Sequence, residues 1–183
     1  IPDEWRAMAA EFDLATADTL GFPTVVFRGE QSALASLKAV DDAYPLRGAM
    51  RVSDDLFTEQ REVDDVPGEG EVWADAALLA RLDAKVGDEL AIGELDLRVA
   101  AVLTYRPDQS IGFASLAPSF VMNIADVPAS GLIAEGSRVA YALLVAGDED
   151  AVSDFNTAVE DRLPEEIRTR SAEESGERAY AAA

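Results

Sequence analysis

The chain has 183 residues, enough for one domain or two small lobes with a real core, and 49% of them are apolar. Against 15 Lys and Arg stand 36 Asp and Glu, a formal net charge of −21 that opposes contact with phosphate backbones and anionic lipid and argues against nucleic acid as a partner. Histidine and cysteine are both absent, which removes Ser-His-Asp and Cys-His catalysis, thiolate metal sites and disulfides.

Pro2 at a first helical position, Asp3 and Glu4 in the first turn, and Trp5, Met8, Ala9 and Phe12 at helical spacing predict an amphipathic helix. From Ala15 the pattern turns to β type. Strands are expected over Thr24 to Arg28 and Ser32 to Val40, joined as a hairpin through Gly29-Glu30. Tyr44 to Gly48 breaks the periodicity, and Asp54 to Gly70 is polar and acidic, so this span reads as loop.

A short strand over Glu71 to Trp73 follows. Asp75 is placed to cap a helix carrying Leu78, Leu79 and Leu82, with Gly87 as its stop. Glu89 to Ile92 and Leu95 to Leu103 flank Gly93-Glu94 as a half-buried hairpin, because Leu95, Leu97, Val99, Ala101 and Leu103 alternate along it. Tyr105 to Pro118 is a loop, Phe120 to Ile124 a strand, and Asp126-Val127-Pro128 opens a short helix or turn. Arg138 to Ala146 is apolar on both faces, as a central strand is. Asp148 caps a helix bearing Val152, Phe155, Val159 and Leu163 that Pro164 ends, Ile167 to Thr169 offers one more strand, and Glu173 to Ala183 reads as a last helix. That last run, ERAYAAA, carries no stop signal, as in a piece cut from a longer chain.

No apolar run reaches the roughly 18 to 20 residues that span a bilayer. Gly68-Glu69-Gly70 begins like a dinucleotide fingerprint but lacks the third glycine, and no Gly-Lys dipeptide exists to build a phosphate-binding loop. Asp148-Glu149-Asp150 starts like a calcium loop, but Val152, Ser153 and Val159 stand where ligands and the turn glycine are required. No catalytic, metal or cofactor-binding residue is therefore assigned.

Three stretches carry a resemblance: AVDDAYPLRGAM (Ala39 to Met50), VWADAALLARLDAKVGDELAIGELDLRVAAVL (Val72 to Leu103) and LAPSFVMNIADVPASGLIAEGSRVAYALLVAG (Leu116 to Gly147). Together they resemble the first extracytoplasmic domain of YbbP-type ABC transporter permeases, in the MacB/FtsX-like permease superfamily. The resemblance implies a mixed α/β (α+β) fold of two lobes. One is a discontinuous membrane-proximal α/β lobe from residues 1–45 and 138–183, the other a smaller β-rich lobe from residues 46–137. It also implies a non-catalytic domain on the periplasmic side of the cytoplasmic membrane, with Ile1 following one transmembrane helix and Ala183 preceding the next. Such a domain would transmit ATP-driven motion of the membrane helices. Its partners would be a separate cytoplasmic ABC ATPase and a periplasmic esterase of the lysophospholipase type or a lipidic substrate. The apolar loop residues Ile111, Phe113 and Leu116, with Phe120, are the candidate partner contacts, against the alternative that they close the core of the inserted lobe. A free-standing ligand-binding domain and a carboxylate-dependent hydrolase are the competing functions.

Overall fold

The computed structural model describes residues 1–109 and 117–171. The expected mixed α/β class is what it shows, with strands dominating. Strands β1 (Ala15–Arg28), β2 (Gln31–Val40), β3 (Met50–Ser53), β4 (Arg61–Val63), β5 (Glu71–Asp75), β6 (Glu89–Ile92), β7 (Leu95–Tyr105), β8 (Ser119–Asn123) and β9 (Ala140–Ala146) join in one sheet. Helices α1 (Asp3–Glu11), α2 (Ala76–Arg81), α3 (Val127–Ser130) and α4 (Glu149–Glu160) sit at its ends and faces.

Two strands are long enough to change partners along their length. β1 pairs with β2 on one side, while its other side pairs with β9 from Ala15 to Gly21 and with β6 at Val26 and Phe27. Pro23, which has no N–H to donate, falls in the gap between those two neighbours. β7 pairs with β6 through Leu95 to Arg98 and with β3 from Val102 to Tyr105, and its opposite side pairs in parallel with β5. β8 lies between β5, antiparallel, and β2, parallel. The order β7-β5-β8-β2-β1-β6 thus closes on itself through β6 and β7. A six-stranded ring of this size has room inside only for side chains.

Side-chain alternation divides the core accordingly. Val26, Leu37, Val72, Leu90, Leu97, Val99, Phe120 and Met122 fill the ring, and α2 plugs it with Leu78, Leu79 and Leu82. The opposite face of the same strands supplies Val40, Trp73, Ala101, Leu103 and Val121 to a second cluster covered by Tyr44, Met50 and Val52. Trp5, Ala9, Leu14, Phe155 and Val159 form a third, where α1 and α4 meet. This third cluster draws on both ends of the chain. The sheet itself does not break at residue 45, because β1 and β2 pair with β6 and β8.

Several expected boundaries shift, each for a local reason. β1 starts at Ala15, nine residues before the expected Thr24, so Gly21-Phe22-Pro23 lies within a strand. The span from Tyr44 to Gly70 holds two short strands, β3 ahead of the acidic run, where buried Met50 and Val52 alternate with exposed Arg51, and β4 within it. α2 ends at Arg81 with Leu82 as its C-cap, before Gly87, because Asp83 takes the left-handed conformation (φ 47°) and the N–H groups of Ala84 and Asp83 close on the carbonyls of Leu79 and Ala80. Asp13 (φ 56°) ends α1 in the same way. β9 is paired only with β1 among the described residues, so it is not a central strand. Ile167 to Thr169 is not a strand, and the helix expected over 173–183 lies outside the described residues.

Candidate functional site

Three places bear on function, and they lie at different points along β1 and β2. The first is where the chain comes into the sheet and leaves it. Ala15, which opens β1, is the register partner of Ala146, which closes β9, so the end of α1 lies beside the start of α4. The rings of Phe12 and Phe155 meet edge-on at 6.1 Å. Arg6 of α1 grips Asp18 of β1 with two hydrogen bonds, from Nε at 2.8 Å and from Nη2 at 2.6 Å. Gly147 lets Leu14 pack close, since a Cβ there would stand 2.4 Å from Leu14 Cδ2. A shallow cavity of about 320 Å³ beside this corner is lined by Arg6, Asp18, Leu20, Asp41 and Tyr141.

The second is a half-buried polar cluster at the root of the segment between β7 and β8. Asp108 accepts from the Tyr44 hydroxyl at 2.7 Å and from Arg106 Nε at 2.7 Å, and ion-pairs with Lys38. Lys38 Nζ also stands 5.4 Å from the Tyr44 ring centre, over its face. Burial pulls the Lys38 ammonium down to about 8, and the nearby Arg106 adds to that; the Asp108 carboxylate opposes both. Burial raises the Tyr44 hydroxyl and lowers the Arg106 guanidinium. At the other root Asp75 accepts from Ser119 N at 2.9 Å, from Ser119 Oγ at 3.0 Å and, as the cap of α2, from Leu78 N at 2.8 Å. Burial raises the Asp75 carboxyl, and those donors pull against the rise. Every carboxylate of this cluster is engaged by donors, so its chemistry is that of a clamp.

The third is the far tip of the β1–β2 hairpin. Val25, Phe27 and Leu34 lie there on the outer face of the ring and remain 41%, 49% and 60% exposed. Val25 and Leu34 are register partners.

Of the sequence-derived contact residues, Phe120 is fully buried inside the ring, which is the alternative reading, so its side chain is not an exposed contact. Ile111, Phe113 and Leu116 lie outside the described residues. Sequence reasoning missed the clamp and the hairpin tip. The signal for the tip was present in Val25-Val26-Phe27: three successive apolar residues in a strand must put at least one on the face away from the ring. The AVDDAYPLRG motif proves to be bracing. Asp41 accepts from Asp18 N at 2.7 Å, Tyr44 holds Asp108, and Arg47 Nη2 donates to the Gly147 carbonyl at 2.7 Å.

Among the described residues no helix is long and apolar enough to cross a membrane, and no group of three or more acidic residues could hold a metal ion. No protein-family model matches the chain. Over 168 residues, 92% of its length, it is 32% identical to the uncharacterized ABC transporter permease YbbP of Escherichia coli strain K12, and it spans 20% of that protein. The crystal structure of the periplasmic region of MacB from Actinobacillus actinomycetemcomitans shares its fold, with a TM-score of 0.52 at 13% identity over 81% of this chain and 66% of that one. The chain is thus similar along most of its length to a segment of an ABC transporter permease, and its fold is that of the MacB periplasmic region.

Proposed function

We propose that the chain is a periplasmic lever, which takes up ATP-driven motion of membrane helices through α1 and α4 and delivers it to a partner or substrate in the periplasm. The observation that carries this reading is the pairing of Ala15 with Ala146: the chain runs into the sheet and out of it on adjacent strands, flanked by two helices that pack on each other. A domain looped between two membrane-spanning segments requires that arrangement. From this corner β1 continues for 14 residues, a contour of about 45 Å at roughly 3.3 Å per residue, to the far end of the ring. Hydrogen bonds hold it to β2 along most of that path, so a displacement of α1 is passed on rather than absorbed. The nucleotide chemistry would belong to a separate cytoplasmic ATPase. The working end would act on a lipidic substrate or on an esterase that processes one, and the two lobes, near α1 and α4 and around the ring, would tilt against each other.

The test is a distance measurement in the full-length permease with its ATPase, using spin labels on Glu4→Cys in α1 and Glu160→Cys in α4, both exposed positions. The separation should differ between the nucleotide-free and ATP-trapped states. One unchanged distance distribution in both would rule out transmission through these helices.

A further inference from the structure

The tip of the β1–β2 hairpin is an apolar surface built on backbone that is already fixed. Phe27 follows Val25 on one face by the two-residue alternation of a strand, and Leu34 stands opposite Val25, while Val26 on the other face is fully buried in the ring. The strand beneath them is paired to β2, and at Val26 and Phe27 to β6 as well. Arg28 anchors the tip further, donating to the Asp83 carbonyl at 2.6 Å and pairing with Asp88 at 2.9 Å. A partner docking here would lose little conformational entropy on this side of the contact, because folding has already ordered it.

The border of the surface is acidic. Cross-strand register puts Ala91 beside Phe27 and Asp96 beside Ala91, and Glu89 shares that face two residues from Ala91; Glu30 occupies the turn. All three acids are exposed, whereas the cations beside them are already paired, Arg28 with Asp88 and Arg98, the register partner of Glu89, with Glu71. Charge decides among possible occupants. A second copy of a chain carrying −21 is repelled, and so is an anionic bilayer.

From this we infer that the outer face of the hairpin tip, centred on Val25, Phe27 and Leu34, docks a protein whose apolar patch is bordered by Lys or Arg. An apolar centre with a charged rim is the usual anatomy of a protein interface, and complementary rim charge sets its selectivity. The inference deepens the lever reading and rests on it for the partner's location in the periplasm. It places the working end at the opposite end of β1 from α1.

The experiment titrates the 183-residue chain with a fluorescein-labelled peptide that has a Leu-Phe-Leu-Val centre and a lysine pair at each end. Binding should weaken about tenfold in Phe27→Thr/Leu34→Thr, and by a similar factor in Glu30→Lys/Glu89→Lys, with the melting temperature unchanged. It should also weaken with added salt, and a peptide with aspartates in place of the lysines should not bind. Four outcomes overturn the inference: no binding of the lysine peptide, equal binding by both double variants, equal binding of the aspartate peptide, or a tip that instead drives self-association or binding to phosphatidylcholine vesicles. None of these measurements involves α1 or α4, so failure here leaves the spin-label result to judge the lever reading by itself.

Discussion

At the scale of single residues, burial controls the charge of Lys38. Its ammonium titrates at about 8 in the folded chain, mainly because it is desolvated, against an ordinary 10.5. Between those values the unfolded chain binds more protons than the folded one, so Lys38 makes stability rise with pH across that window and adds a fixed penalty below it. Replacing Lys38 with Met removes both the titration and the ion pair to Asp108. The wild type should therefore gain stability relative to Lys38→Met when urea unfolding is moved from about pH 7.5 to about pH 10, with a slope of at most ~1.4 kcal/mol per pH unit. At about pH 7.5 Lys38→Met should be at least as stable as the wild type, because the lowered pKa means that desolvation of the ammonium outweighs the attraction of Asp108. A difference that stays flat with pH would mean that Asp108, not burial, sets the lysine's charge. The residues that carry the resemblance act in the same structural way: Asp41, Tyr44 and Arg47 each tie the β2–β3 crossing to a different element.

At the scale of elements, the two hairpin turns form a natural pair. Gly29 and Gly93 each hold the first position of a two-residue turn at positive φ, 57° and 59°, as the turn's hand demands. A Cβ at Gly29 would meet nothing within 4 Å, whereas at Gly93 it would fall 2.1 Å from the Ser130 carbonyl oxygen, which accepts from Glu94 N at 2.8 Å. Gly29→Ala should cost about 1–2 kcal/mol from backbone conformation alone. Gly93→Ala must also push α3 away from the turn and should cost at least about 2 kcal/mol more, by denaturant unfolding. Equal losses would show that α3 yields freely. The alternation of β7, the turn of β6 and β7, the cap of α2 and the helix after Asp148 were all legible in the sequence, because each depends on near neighbours. β9 was legible as a strand but not in its place. Its apolar character on both faces reflects two cores, since Leu144 joins the cluster around Trp73 while Leu143 and Val145 join the one between α1 and α4; it does not reflect two neighbouring strands. The ends of α1 and α2 escaped notice because Asp, rather than Gly, adopts the left-handed position.

For the whole molecule the excess of carboxylates dominates. The basic side chains Arg6, Arg28, Lys38, Arg51, Arg61, Arg98 and Arg106 are each already committed to an acid, so the net charge of −21 is spread over carboxylates with few partners. Self-repulsion of that size opposes the compact state, and salt screens it over about 10 Å at 0.1 M. The melting temperature should accordingly rise as NaCl is raised from low concentration to about 0.5 M, by calorimetry. A fall would mean that the ion pairs outweigh the repulsion. Closure of the ring could not be read from the sequence at all, because it rests on pairings between distant segments: Ser36–Val40 with Ser119–Asn123 in β2 and β8, and Val26 and Phe27 with Ile92 and Ala91. The partner-switching of β1 sets an order of events on top of this. As the chain emerges, β1 and β2 can zip locally, but the half of β1 that begins at Ala15 waits for β9, which is made last of the strands among the described residues. Its unpaired edge stays open through most of synthesis, and non-local pairing of this kind is slow. The corner that α1 and α4 share is then the final part to assemble, and the first at which a slipped or foreign strand could take the vacant place.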